Sequence, residues 1–115
     1  MDIRPKGSKA AKLRQRKFAL AEKFGIPEEL LPGSLSLTHR RCGKSNCHCA
    51  SGKGHPVWLL TFSFRGKKRV ERIPEEWVEE VKELVDGGRE FKDAVAEVFA
   101  ANAELLALWR REQKK

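Results

Sequence analysis

The chain has 115 residues, of which 40% are hydrophobic and 35% charged, with three cysteines and a formal net charge of +8. This length and composition fit one globular domain with a modest apolar core. The sequence contains no stretch of 18 apolar residues and no apolar segment near its first residue. We therefore expect no membrane-spanning helix, no secretory signal and no membrane partner, and we expect a cytoplasmic protein.

Positive charge is concentrated in two segments. Residues 1–25 carry eight basic and two acidic side chains, and residues 39–72 carry nine basic side chains and one acidic one. No Asp or Glu lies between Leu30 and Val70, whereas residues 73–115 carry eleven acidic and seven basic side chains. A segment of one sign predicts a surface for a polyanion, and a soluble basic surface without a partner is the alternative.

Local patterns predict one helix followed by three strands. Apolar periodicity predicts a basic helix from Ser8 to Phe24 that ends at Gly25. Alternation of polar and apolar residues predicts strands at 34–39, 57–64 and 67–73. A two-residue turn at Arg65-Gly66 joins the last two, although Arg is disfavoured at the positive φ that such a turn needs.

Two helices are predicted after Pro74, which suits the first turn of a helix. The first covers 74–86 and is stopped by Gly87-Gly88, and the second runs from about Arg89 to Gln113. The two would form a helical hairpin packed on the sheet. The second helix also carries a heptad seam with Asn102 at an a position, which indicates a homodimer or another protein partner as the alternative. The seam consists of Phe91, Val95, Val98, Asn102, Leu105 and Trp109.

Three cysteines and two histidines lie within the fourteen residues from Cys42 to His55, and the cysteines and the second histidine have the spacing C-x4-C-x-C-x5-H. In a reducing compartment, clustered cysteines indicate metal or redox chemistry more often than disulfides. Three thiolates and one imidazole complete the tetrahedral ligand set that zinc prefers. We therefore predict a structural zinc site whose ligands are Cys42, Cys47, Cys49 and His55.

Other interpretations of this segment stay open. His39 and His48 are alternative fourth ligands, although His48 lies between two ligands and would tend to point away from the metal. A metal-free redox pair of Cys47 with Cys49, and inert cysteines, are further alternatives, while an iron–sulfur cluster usually needs a fourth thiolate. The segment contains no acidic general base, no H-E-x-x-H and no deaminase motif, so we predict no enzymatic activity.

Basic side chains flank both the metal segment and the hairpin turn. We expect the metal to order the loop, so that its cations and those of the turn form one positive surface for nucleic acid, with a second basic face on the first helix. Every Trp and Phe fits a buried face, which favours backbone or duplex binding over base stacking, and we expect DNA rather than RNA. The predicted contacts are Arg40, Arg41, Lys44, Lys53, Arg65, Lys67, Lys68, Arg69, Lys12 and Arg16.

The metal segment, an aromatic strand, a Gly-Lys turn and Ile73-Pro74-Glu75 follow one another in an order that resembles a known family. Its members are short uncharacterised prokaryotic proteins, catalogued as a domain of unknown function, and many are encoded near transposase genes. The resemblance covers residues 33–110. It implies metal-ligand roles for Cys42, Cys47, Cys49 and His55, and it brings no established activity. This chain departs from the family pattern at Pro56, which follows His55 directly without a glycine, and at Trp58, where the family has Tyr.

Together these features predict an α+β protein in one compact domain. It would comprise a basic N-terminal helical segment (1–32), a zinc knuckle with a β-hairpin (33–73) and a C-terminal helical pair (74–115). The predicted function is non-enzymatic, zinc-stabilised binding of nucleic acid, linked through the resemblance to mobile-element DNA. The alternatives are an accessory protein that acts through its C-terminal helices and a thiol redox sensor.

Overall fold

A computed structural model describes residues 5–41, 52 and 54–113 of the chain. The elements follow in the order α1 (Ser8–Phe24), β1 (Ser34–Arg40), β2 (His55–Phe64), β3 (Lys67–Ile73) and α2 (Val78–Glu112), with a short 3-10 helix at Glu75–Trp77 before α2. The predicted α+β class is confirmed. None of the helices within these described residues is long and apolar enough to cross a membrane.

Helix α1 begins and ends at the predicted residues. Gly25 has a left-handed backbone (φ 64°), and its N–H donates to the carbonyl of Ala21 as the helix ends. The apolar face of α1 is largely uncovered, because Leu13, Phe18 and Phe24 are each more than half exposed while Ala21 is buried. Most of the apolar face of α1 is therefore exposed.

The three strands form one antiparallel sheet in the order β1-β2-β3. At one end of the sheet Arg40 pairs with His55, and at the other end Phe64 pairs with Lys67. The turn between β2 and β3 has two residues, Arg65 (φ 53°) and Gly66 (φ 82°), both in the left-handed region that such turns require. The hairpin predicted at this turn is confirmed.

The core lies between one face of the sheet and the first turns of α2. Leu60, Val81 and Val85 are buried at its centre. Because side chains alternate along a strand, one face of the sheet carries both Leu60 and its apolar neighbours. The partly buried residues packed against the centre are Leu31, Leu35, Phe62 and Ile73.

The predicted helical hairpin is wrong, because α2 is one continuous helix of 35 residues that passes through Gly87 and Gly88. The chain that leads into β1 crosses the helix at this point. A Cβ on Gly88 would lie 2.3 Å from the carbonyl oxygen of Leu31, and the Leu31 N–H donates to the Leu84 carbonyl at 3.1 Å. The glycine therefore permits a close approach of two backbones and does not stop the helix.

Helix α2 extends well beyond the sheet. Its buried residues are Val81, Val85 and Gly88. Within residues 96–113, every residue except Ala107 is exposed. The Cα radius of gyration is 20.9 Å and the longest extent is 79 Å, compared with a radius of about 13 Å for a compact domain of this length. The distal half of α2 is thus a projecting arm.

Candidate nucleic-acid interface and metal loop

The predicted cations that the structure describes lie at opposite ends of the sheet. Arg40 and Arg41 lie where β1 ends, while Arg65 follows the far end of β2. The ten residues of β2 span roughly 30 Å. The prediction of one continuous surface is therefore wrong for the cations that the structure describes. Lys44 and Lys53 lie outside the described residues.

The cations at the hairpin turn instead meet those of α1. A groove of about 370 Å³ lies between this helix and the turn. None of its described lining residues is acidic, and three are cations. We call this site the basic groove, and its lining residues are Leu13, Arg16, Lys17, Leu20, Phe64 and Arg65. Lys12 lies one helical turn before Arg16 on the same side of α1.

Lys17 is a groove residue that the sequence pattern did not single out, because which side of α1 meets the turn depends on a contact between residues far apart in the chain. Phe64 differs from its expected burial. It is 63% exposed, and the guanidinium carbon of Arg65 lies 5.1 Å from its ring centroid. The expectation that all aromatic residues are buried is therefore wrong. Besides Phe64, the exposed aromatic residues are Phe18, Phe24, Trp77, Phe99 and Trp109. An exposed ring beside cations suits stacking against a nucleobase.

The cations of β3 differ from one another in their surroundings. Lys67 and Lys68 are exposed and lie on opposite faces of the strand. Arg69 donates to a carboxylate oxygen of Glu71 at 3.0 Å, and its guanidinium carbon lies 5.8 Å from the Phe62 ring centroid. Its charge is therefore balanced locally, whereas Lys67 pairs with Phe64 and lies on the same face of the sheet as that ring.

The predicted metal segment belongs to the connection between β1 and β2. Cys42, Cys47 and Cys49, together with His48, lie outside the described residues. The ends of this connection are held together. The Nε of Arg41 donates to the Gly52 carbonyl at 3.3 Å, and Gly54 approaches Arg40 so closely that an added Cβ would lie 2.5 Å from the Arg40 carbonyl. The connection that contains the three cysteines therefore begins and ends at neighbouring positions, and we call residues 41–54 the metal loop after the site predicted there.

The register of the sheet separates two candidate ligands. His39 pairs with Pro56, whereas His55 pairs with Arg40 on the last rung before the metal loop. Because successive side chains alternate between faces, His39 and His55 lie on opposite faces of the sheet. Within the part of the chain that is described, no group of three or more His, Cys, Asp or Glu residues could hold a metal ion. Of His39 and His55, His55 belongs to the residue pair of the sheet that lies nearer to the metal loop.

The predicted seam lies along a single helix. Phe91 and Val95 are half-buried, while Val98, Leu105 and Trp109 are each more than half exposed. Asn102 is exposed between them. The distal part of the seam is therefore not covered by a second helix among the described residues.

Comparison with known proteins identifies the family. Neither the curated proteins nor the solved structures yielded a match. The model of the family described as "Domain of unknown function (DUF6788)" matches residues 10–83, which span most of α1, the sheet and the start of α2. The match begins and ends earlier than the resemblance over 33–110. Because it covers more than half of the chain, the protein belongs to DUF6788, a family whose function is unknown.

Proposed function

We propose that this protein binds nucleic acid through the basic groove and catalyses no reaction. The observation that carries the proposal is the convergence of Arg16, Lys17 and Arg65 around an exposed Phe64. Cations of this kind neutralise phosphates, and an exposed ring can stack on a base. The combination matches what a single strand offers, since its bases are not hidden in a duplex.

The charge distribution supports this proposal. Helix α1 contains a single acidic residue, Glu22, and no acidic residue lies between Leu30 and Val70. Most of the acidic side chains belong to α2 and the turn before it. The positive potential at the groove therefore has few neighbouring acids to weaken it. DNA remains the expected polymer, and a link to mobile-element DNA rests on the resemblance alone.

Charge reversal in the groove tests this proposal. We expect the double variant Arg16→Glu/Lys17→Glu to bind a labelled single-stranded oligonucleotide roughly tenfold or more weakly than the parent, because phosphate neutralisation supplies most of the affinity. Phe64→Ala should cost roughly fivefold to a hundredfold through lost stacking. Fluorescence anisotropy at fixed salt measures both.

A matched control separates the groove from net charge. Arg110→Glu/Arg111→Glu changes the net charge by the same amount at the exposed far end of α2. This variant should bind within about twofold of the parent, because screened charges act over roughly 10 Å. Equal losses in both double variants would show that the groove is not the site.

We further propose that zinc, bound by Cys42, Cys47, Cys49 and His55, orders the metal loop. The donor set is the one that zinc prefers. Two observations support the assignment. The two ends of the loop lie close together, and His55 pairs with Arg40 at the end of the sheet that adjoins the loop. Bound zinc would supply a structural cross-link in a protein whose described core is small.

Metal analysis tests the zinc proposal. We expect one zinc per purified chain and a lower melting temperature after chelation, because the loop would lose the bonds that order it. Cys47→Ser and His55→Ala should reduce the zinc content, whereas His39→Ala should retain it. A metal-free chain that melts at the same temperature would contradict the proposal, and a Cys47–Cys49 disulfide in that chain would favour the redox alternative.

A further inference from the structure

The distal half of α2 carries a wide apolar stripe. Its large members Val98, Phe99, Leu105, Leu106 and Trp109 are between 57% and 67% exposed. The only charged residues between Ala94 and Trp109 are Glu97 and Glu104, and the helical repeat places both on the opposite side. We call the surface formed by Val95, Val98, Phe99, Asn102, Leu105, Leu106 and Trp109 the distal stripe.

The area of the distal stripe approaches what a stable interface needs. Its five large apolar side chains expose roughly 600 Å² together, judged from the usual sizes of such side chains. This equals the upper end of the largest apolar patch on ordinary monomers, about 300–600 Å². A stable interface buries about 800 Å² on each partner, so the stripe and its margins fit a protein partner.

We infer that the occupant of the distal stripe is a second copy of this chain. A two-fold axis at Asn102 would place this residue against Asn102 of the second copy. Val98 would then face Leu106, and Phe99 would face Leu105. A side-chain amide both donates and accepts, so two copies satisfy each other, whereas an apolar partner would leave the amide buried and unpaired.

The relative direction of the two α2 helices follows from which side of α2 contacts the core. Val81 and Gly88 contact the chain's own body, and Phe99 and Leu106 each lie eighteen residues, or five helical turns, beyond them on the same side of α2. In a parallel pair of α2 helices, the proximal half of the second helix would run along the side of α2 that the chain's own sheet already occupies. An antiparallel pair places the two sheets beyond opposite ends of the overlap, so the arrangement is antiparallel.

Sedimentation equilibrium of the protein alone tests the pairing. We expect the parent to sediment at twice the mass of one chain and Leu105→Glu to sediment as a monomer. Ala100→Glu is the matched control, because it adds the same charge on the opposite side of the helix, and it should remain dimeric. Leu105 is 63% exposed, so the monomeric variant should keep its circular dichroism spectrum.

Spin labels at Gln113, introduced through an unnatural amino acid, test the direction. With the axis at Asn102, residue 113 lies beside residue 91 of the second copy, so the labels should be about 33 Å apart. A parallel pair would hold them within about 10 Å. A monomeric parent, a dimeric Leu105→Glu variant or a short label distance would each overturn the inference. No nucleic acid is present, so this outcome is independent of the proposed function.

Discussion

Among single residues, Gly88 has the clearest structural role. A Cβ at this position would meet backbone atoms of Leu31, which cannot move without displacing the segment that enters β1. Gly87 differs, because its added Cβ would meet the end of the flexible Leu30 side chain at 2.8 Å. Two adjacent glycines in one helix therefore have different tolerance to the same substitution.

Alanine substitutions test this difference. Gly88→Ala should lower the free energy of unfolding by about 2 kcal/mol, because the steric conflict outweighs the better helix propensity of alanine. Gly87→Ala should be neutral or stabilising by up to about 1 kcal/mol, because the Leu30 side chain can rotate away. Urea denaturation measures both variants, and equal effects of the two would contradict this account of the crossing.

The role of the same two glycines could not be predicted from the sequence. A Gly-Gly pair after an apolar stripe ordinarily predicts the end of a helix. Whether such a pair stops a helix or admits a crossing chain depends on Leu30 and Leu31, which lie 57 residues earlier in the chain. The sequence pattern around the two glycines gives no information about that contact. At Arg69, by contrast, the alternation of a strand already places Glu71 on the same side, so the ion pair could have been found.

At the scale of elements, the elements with strong local signals were predicted closely. The bounds of α1 and β3 are confirmed, because helical periodicity with a glycine stop and the two-residue turn are local signals. The position of α1 beside the hairpin turn was not predicted. That placement forms the basic groove, and it arises from contacts between elements rather than within them.

The predicted metal site depends on a contact of the same kind. The spacing of its cysteines indicates a metal, but the choice among histidines depends on strand register. Register places His39 and His55 on opposite faces, which the sequence alone could not establish because the pairing of β1 with β2 spans a long connection. The variants His39→Ala and His55→Ala therefore test the strand register as well as the identity of the fourth zinc ligand.

For the whole molecule, the two proposed binding surfaces lie on different elements. The basic groove lies on α1 and the hairpin turn, while the distal stripe lies on the projecting arm of α2. If both proposals hold, the dimer presents two grooves joined by a rigid helical pair. A strand long enough to reach both grooves would bind more tightly than a short one through effective concentration.

The salt dependence of single-strand binding is the most direct measurement of the central proposal. Anisotropy titrations of the parent protein over a series of salt concentrations give the slope of log affinity against log salt. Four to six phosphate contacts predict a slope of about −3 to −4, because each contact releases bound counterions. No binding at low salt, or an affinity that does not change with salt, would contradict the assignment of the basic groove to nucleic acid.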